Sequence, residues 1–230
     1  ILRCLVGSEM CIRDSGKIAA FAKGARRPNS HLIGVTRPFI FGTFEVYRGR
    51  DSYTIQKANV TNYFEELVSD LDGVLYGYYF AELAEYYGRE NLDAADMINL
   101  LYVAFKALVN KSLPNELVRY IYEIRLIAVN GECPDFFSCA GCGSEKELQL
   151  YSYKENGMYC VECAASSGDG IVLQSSTLYT LQYIITAPLT KLFNFVVKAD
   201  VLNELKKVVN RIEFITFDKH FKSKEMLDIG

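Results

Sequence analysis

The chain has 230 residues, half of them hydrophobic and 23% charged, which suits one large domain or two small ones and excludes a wholly disordered protein. No run approaches the roughly 20 apolar residues of a membrane-spanning helix, and Gly and Pro are too ordinary in number for a collagen-like or low-complexity chain. The net charge of −3 predicts no polyanion partner, yet it is unevenly spread: residues 1–57 carry +6 and residues 58–138 carry −8. A basic head on an acidic body directs the search for an anion-binding face to the N-terminal part, with an ordinary solvated surface as the competing reading.

Residues 1–15, ILRCLVGSEMCIRDS, begin at Ile1, and their apolar run is too short for a secretory leader and is interrupted by Arg3. The segment looks like translated adapter DNA and is read as non-native, so Cys4 and Cys11 enter no site assignment. With no leader, the expected compartment is the cytoplasm, where thiols stay reduced.

From Gly16 the pattern is β. Lys17–Phe21 alternates weakly, and 24–30, rich in Gly, Pro, Asn and Ser, is a loop. Residues 32–36 and 39–47 are rich in β-branched and aromatic side chains, with Ile40, Phe44 and Val46 on one face and Phe39, Phe41 and Thr43 on the other. Gly49-Arg50-Asp51-Ser52 is a turn, followed by a strand over 53–57. Short strands joined by glycine turns predict a small barrel or sandwich.

From Asn62 the period is helical. Asn62 and Glu65 form a candidate capping box before the stripe Phe64, Leu67, Val68 and Leu71, with Gly73 as the stop. Further helices are predicted over 74–87, from Asp93 to about residue 110, from Pro114 to about residue 129, and over 175–187 and 200–212. Tyr76, Tyr78, Tyr79, Tyr86 and Tyr87 could stack on bases, but their acidic, helical setting and core-like spacing favour packing.

The strongest chemical signal is Cys139-Ala140-Gly141-Cys142, followed after 17 residues by Cys160-Val161-Glu162-Cys163. Two such pairs match a zinc-ribbon spacing, each pair turning both thiolates towards one centre. Four protein thiolates leave no position for water, so the site is structural rather than catalytic. A thioredoxin-like motif uses one pair rather than two, and a disulfide pair fits the expected compartment poorly. Zinc, or iron on the same thiolates, is the expected metal. A small hairpin is predicted over 148–159, and Cys133 reads as a buried thiol. His31 and His220 lack a nucleophile partner, the Glu65-Glu66 and Asp70-Asp72 pairs read as solvated surface, and no phosphate-binding or dinucleotide motif is present.

Gly16-Lys17-Ile18, the stretch Ala22-Lys23-Gly24-Ala25-Arg26-Arg27, Phe44-Glu45-Val46-Tyr47, Tyr63-Phe64-Glu65-Glu66-Leu67, Tyr79-Phe80-Ala81-Glu82-Leu83 and the paired cysteine knuckles together resemble the bacterial RecO family of DNA repair and recombination proteins. The resemblance runs from about residue 16 to near the C-terminus. It implies an α+β protein: an incomplete OB-fold barrel over 16–60, then a helical domain over 61–230 that carries a zinc module at 136–170. It also implies a non-enzymatic recombination mediator that binds single- and double-stranded DNA and anneals strands. Such a mediator works with RecR and single-strand-binding protein and assists RecA loading, in the cytoplasm at the nucleoid and with no membrane partner. Carried over, Lys17, Lys23, Arg26 and Arg27 would contact phosphates, and Cys139, Cys142, Cys160 and Cys163 would hold a structural Zn2+. Arg37, Arg48 and Arg50 join the DNA-binding candidates on charge alone. The family's first strand pair should precede Gly16, where residues 1–15 stand instead, so a barrel with exposed edges is expected. The alternative is a zinc-stabilised interaction scaffold that binds no DNA. An enzyme reading ranks third and would require an open coordination position on the metal.

Overall fold

The computed structural model describes residues 2–6, 11–13, 16–25, 27–30, 32–50, 52–89 and 92–229, with side chains from residue 17 to residue 227. The chain divides into two compact units, residues 1–115 with 221–230, and residues 116–220. Among the described residues no helix is long and apolar enough to cross a membrane.

The first unit is built on six strand segments in the order β3-β2-β1-β5-β6-β4. They are β1 (Leu2–Val6), β2 (Cys11–Arg13), β3 (Gly16–Ile18), β4 (Ala20–Phe21), β5 (Ile40–Arg48) and β6 (Tyr53–Asn62). Only Ala19 separates β3 from β4, so they form one extended run. Its first half pairs antiparallel with β2 and its second half pairs in parallel with β6. One stretch of chain therefore joins the two edges of the sheet, and counting it once leaves five strands arranged as an OB-type barrel. β1 and β2 stand where the sequence predicts missing strands; β1 pairs with β5 from Leu2↔Phe44 to Val6↔Ile40. The physical reason is that ladder hydrogen bonds come from the main chain, so a short β-prone run of almost any side-chain sequence can satisfy the edge of β5.

Ile18, Leu32, Val35, Ile40, Phe44 and Ile55 fill the barrel. The opposite face of β5 is covered too: Phe41 meets Tyr102 with ring centroids 4.4 Å apart, and Phe39, just before the strand, lies 5.1 Å from Phe105. The covering helices are α1 (Glu65–Ser69), α2 (Leu71–Tyr87) and α3 (Ala95–Asn110), with α7 (Lys222–Ile229) packed on α2. Residues 32–36, predicted as a strand, are a chain of turns in which Ile33, Val35 and Arg37 donate N–H bonds to the carbonyls of Ser30, Leu32 and Gly34. A three-residue turn brings Leu32 and Val35 to the same side, whereas a strand would send them to opposite faces. The first predicted helix breaks at Asp70, whose extended backbone separates α1 from α2. Gly73 lies inside α2, where a Cβ would come 2.5 Å from the Asp70 carboxylate. Tyr79 is fully buried, and Tyr86 packs against Tyr87 and Phe221, so these rings act as packing groups.

The second unit holds α4 (Asn115–Val129) from Glu116 on, a three-stranded sheet, α5 (Ser175–Thr186) and α6 (Ala199–Thr216). The sheet has the order β8-β7-β9, from β7 (Leu148–Ser152), β8 (Gly157–Cys160) and β9 (Gly170–Val172). α4 and α6 are tied by a buried charge cluster: Arg119 Nε donates to Glu123 Oε1 at 2.7 Å, and Arg119 Nη2 lies 3.7 Å from Glu213 Oε2. Burial first, and then the Glu213 carboxylate, hold the Glu123 carboxyl well above the ordinary range, against the opposing pull of Arg119.

Two expectations follow from this packing. A Cβ on Gly42, where β5 and β6 shift register, would lie 2.4 Å from the Asn59 carbonyl oxygen, so Gly42→Ala crowds backbone that cannot give way. It should cost about 1–3 kcal/mol of stability in urea denaturation; an unchanged midpoint would contradict the barrel packing. A folded-state pKa raised above that of the unfolded chain means that stability is full below the unfolded value and falls as pH rises towards the folded one. Glu123→Gln has no proton to release, so its urea midpoint should change less than that of the parent between about pH 5 and about pH 8. Parallel pH profiles would remove Glu123 as the titrating group.

Candidate metal centre and nucleic-acid interface

The two cysteine knuckles are shaped by local hydrogen bonding. Gly143 N–H donates to the Cys139 carbonyl and Cys139 N–H to the Ser144 carbonyl, both at 2.8 Å, with Gly143 at φ +75°, a conformation that suits glycine. The second knuckle leaves the end of β8, where Cys163 N–H donates to the Cys160 carbonyl at 3.1 Å. Ala140 N–H donates to the Met158 carbonyl, which pins the first knuckle to the hairpin. A side chain at Gly141 would press on Cys163 Sγ, its Cβ at 3.2 Å, so glycine is what lets the two knuckles close on one another.

The sulfurs of Cys139, Cys142, Cys160 and Cys163 all lie within 4.8 Å of one another, and those of Cys142 and Cys160 are 3.7 Å apart. Tetrahedral thiolates at about 2.3 Å from a metal would stand about 3.8 Å apart, so the cluster fits a single ion. Cys160 N–H also donates to Cys139 Sγ at 3.3 Å. Burial pushes the Cys139 thiol up, but the N–H groups of Cys160, Cys142 and Gly141 outweigh it and draw the group down to about 6. The neighbouring sulfurs of Cys160 and Cys142 push Cys163 up to about 12. A bound cation would replace the protons that such crowded thiols otherwise keep. Cys133 stands outside the cluster, and burial followed by the Asp135 charge pushes its thiol up to about 12.

A second feature lies where β5 turns into β6. An open groove of about 550 Å3 is lined by Lys17, Phe21, Arg48, Arg50, Ser52 and Tyr53, among others. The parallel pairing of β4 with β6 sets Ala20 beside Tyr53, and the antiparallel pairing of β5 with β6 sets Arg48 beside Tyr53. The Arg48 guanidinium lies 5.8 Å from the centre of the Tyr53 ring. Arg50 is exposed at the turn, and the Phe21 ring is 63% exposed on the groove wall. Cations held beside aromatic rings are suited to a polyanion whose planar groups can stack.

The structure therefore brings Lys17, Arg48 and Arg50 together, although Lys17 Nζ is also 3.2 Å from Glu85 Oε1. Lys23 and Arg27 are exposed on the loop after β4, and exposed Arg37 approaches Glu65 at 4.0 Å; none of the three lines the groove. Arg26 and His31 lie outside the described residues, and His220 is exposed. Phe21 and Tyr53 were missed by sequence reasoning. For Tyr53 the available signal was its place just after the basic turn that runs from Arg48 to Arg50; for Phe21 the local sequence held none.

A family model for the C-terminal part of recombination protein O matches residues 68–225, and one for its N-terminal part matches residues 9–64. The chain is similar to the DNA repair protein RecO of Acetivibrio thermocellus, at 30% identity over 220 residues that cover 94% of this chain and 86% of the relative. It is similar to the DNA repair protein RecO of Oceanobacillus iheyensis, at 29% identity covering 93% of this chain and 82% of the relative. For the protein of the same name in Bacillus subtilis the values are 26%, 94% and 84%.

Cys142 is the exposed member of the sulfur cluster, so Cys142→Ser changes a ligand without opening a core cavity. The variant should lose its stoichiometric divalent metal and melt at lower temperature, because the binding energy of a structural metal is folding energy. Full metal content with unchanged melting would contradict a four-thiolate site.

Proposed function

The chain belongs to the recombination protein O family, and on that premise we propose that it is a DNA-binding recombination mediator with no covalent chemistry of its own. It binds and anneals single strands, also binds duplex DNA, and acts with RecR and single-strand-binding protein to assist RecA loading. The observation that carries this reading is the groove at the barrel end, where Arg48 and Arg50 stand beside exposed or half-buried rings. Phosphates bring the charge that these cations would neutralise, and the release of condensed counterions drives association. Neutralising phosphates on two strands at once lowers their repulsion, which is what annealing requires. Lys23, Arg27 and Arg37, exposed outside the groove, add further phosphate contacts, Arg26 joins them from its place in the family's basic stretch, and Lys17 contributes from the groove itself.

The metal that Cys139, Cys142, Cys160 and Cys163 would hold is zinc: four clustered thiolates suit Zn2+, and with all four bound it would have no position left for substrate or water. Its role is to fix the two knuckles on the hairpin. Residues 139–170 carry a net charge of −3 before any metal thiolate is counted, so this module does not attract phosphate, and the nucleic acid is held by the barrel.

If about four cations contact phosphates, the logarithm of the affinity for a single-stranded oligonucleotide should fall against log salt with a slope of about −3. Replacing Arg48 and Arg50 by Ala together should make the slope shallower by about 1.4 and weaken binding at low salt. A flat salt response in folded parent protein would overturn the phosphate groove and favour a scaffold that binds only proteins.

A further inference from the structure

The cations of the groove account for attraction to any nucleic acid, but one feature of its wall does not serve charge. Phe21 follows Ala20, which packs against the barrel core, and its own ring is turned out and 63% exposed. It closes β4, is paired with Thr54 in the parallel ladder, and shares the groove with Arg48 and Arg50. A single exposed apolar ring is common on protein surfaces; a ring on the wall of a cationic groove is a stacking surface. Tyr53, which also lines the groove, is paired with Ala20 and is covered in part by the Arg48 guanidinium and by the core. Phe21 therefore offers the more open ring face.

We infer that Phe21 stacks on an unpaired base and is the residue that makes this groove prefer single strands to duplex. The inference rests on the reading of the groove as a DNA site. In a duplex each base is already stacked between its neighbours, so its faces are closed to the ring. In a single strand the faces are free, and every base has one, so the preference carries no sequence information. Arg48 and Arg50 hold the backbone, and Phe21 sorts unpaired from paired.

The chain contains no tryptophan, so Phe21→Trp places a lone indole in the groove. Its fluorescence should be quenched by a thymidine oligonucleotide at saturation, with binding as tight as in the parent. Phe21→Ala and Phe21→Leu should both lose between about fivefold and about a hundredfold in affinity for that oligonucleotide, the range for one stacked base. Their salt slope should match that of the parent, and their affinity for a blunt duplex should change less than about twofold. Parent-like single-strand affinity in the Ala and Leu variants, with no quenching in the Trp variant, overturns the inference. If the Arg48/Arg50 double variant is weakened while the Phe21 variants bind normally, only the stacking role falls. If neither set alters DNA binding, the groove reading falls with it, and the exposed ring belongs to a protein contact.

Discussion

A barrel must have its sheet edges satisfied, and here a single run of six residues, 16–21, meets that constraint at both edges. Its first half pairs with β2 and its second half with β6, with Ala19 as the crossing point. Unpaired strand edges expose main-chain donors and acceptors and invite association. The same run carries Lys17 on one half and Phe21 on the other, so the segment that closes the barrel also furnishes the wall of the groove. Site and fold are therefore coupled: whatever disturbs the pairing of β4 with β6 moves Phe21 relative to Tyr53 and Arg48.

The metal centre obeys a different logic. Its geometry is set within 25 residues by two tight knuckles, a hairpin and a glycine that admits close approach of Cys163. Local closure makes the centre independent of the barrel's long-range pairing. Charge separates the roles as well: residues 1–57 are net positive and residues 139–170 net negative. The stability of the second unit draws in addition on the buried Arg119, Glu123 and Glu213 cluster between α4 and α6. Such clusters add little net stability over apolar packing but are strongly destabilising when one partner is removed.

What could be read from the sequence follows from the range of the interactions involved. The four cysteines were legible because their spacing is itself the geometry of the knuckles. α3, α4, α5 and α6 were legible because each repeats an apolar face over three or more turns. The groove was not, because Phe21 and Tyr53 are 32 positions apart and come to line one groove only through a parallel pairing that no local pattern announces. The family resemblance singled out Lys17, Lys23, Arg26 and Arg27, and charge alone added Arg37, Arg48 and Arg50; of these the structure gathers Lys17, Arg48 and Arg50 around the groove. Residues 32–36 were misread because β-branched composition does not distinguish a strand from turns that bury Leu32 and Val35 on one side. α7 escaped notice because it is short and is anchored by the single buried ring of Phe221 against Tyr79 and Tyr86.

The central claim, that the barrel end is where an unpaired strand is held, can be tested by mapping the contact itself. A photoreactive single-stranded oligonucleotide, crosslinked to the 230-residue chain and located by mass spectrometry, should attach to peptides covering residues 17–21 and 48–53. Crosslinks confined to residues 116–220, with the barrel peptides unmodified, would contradict the account.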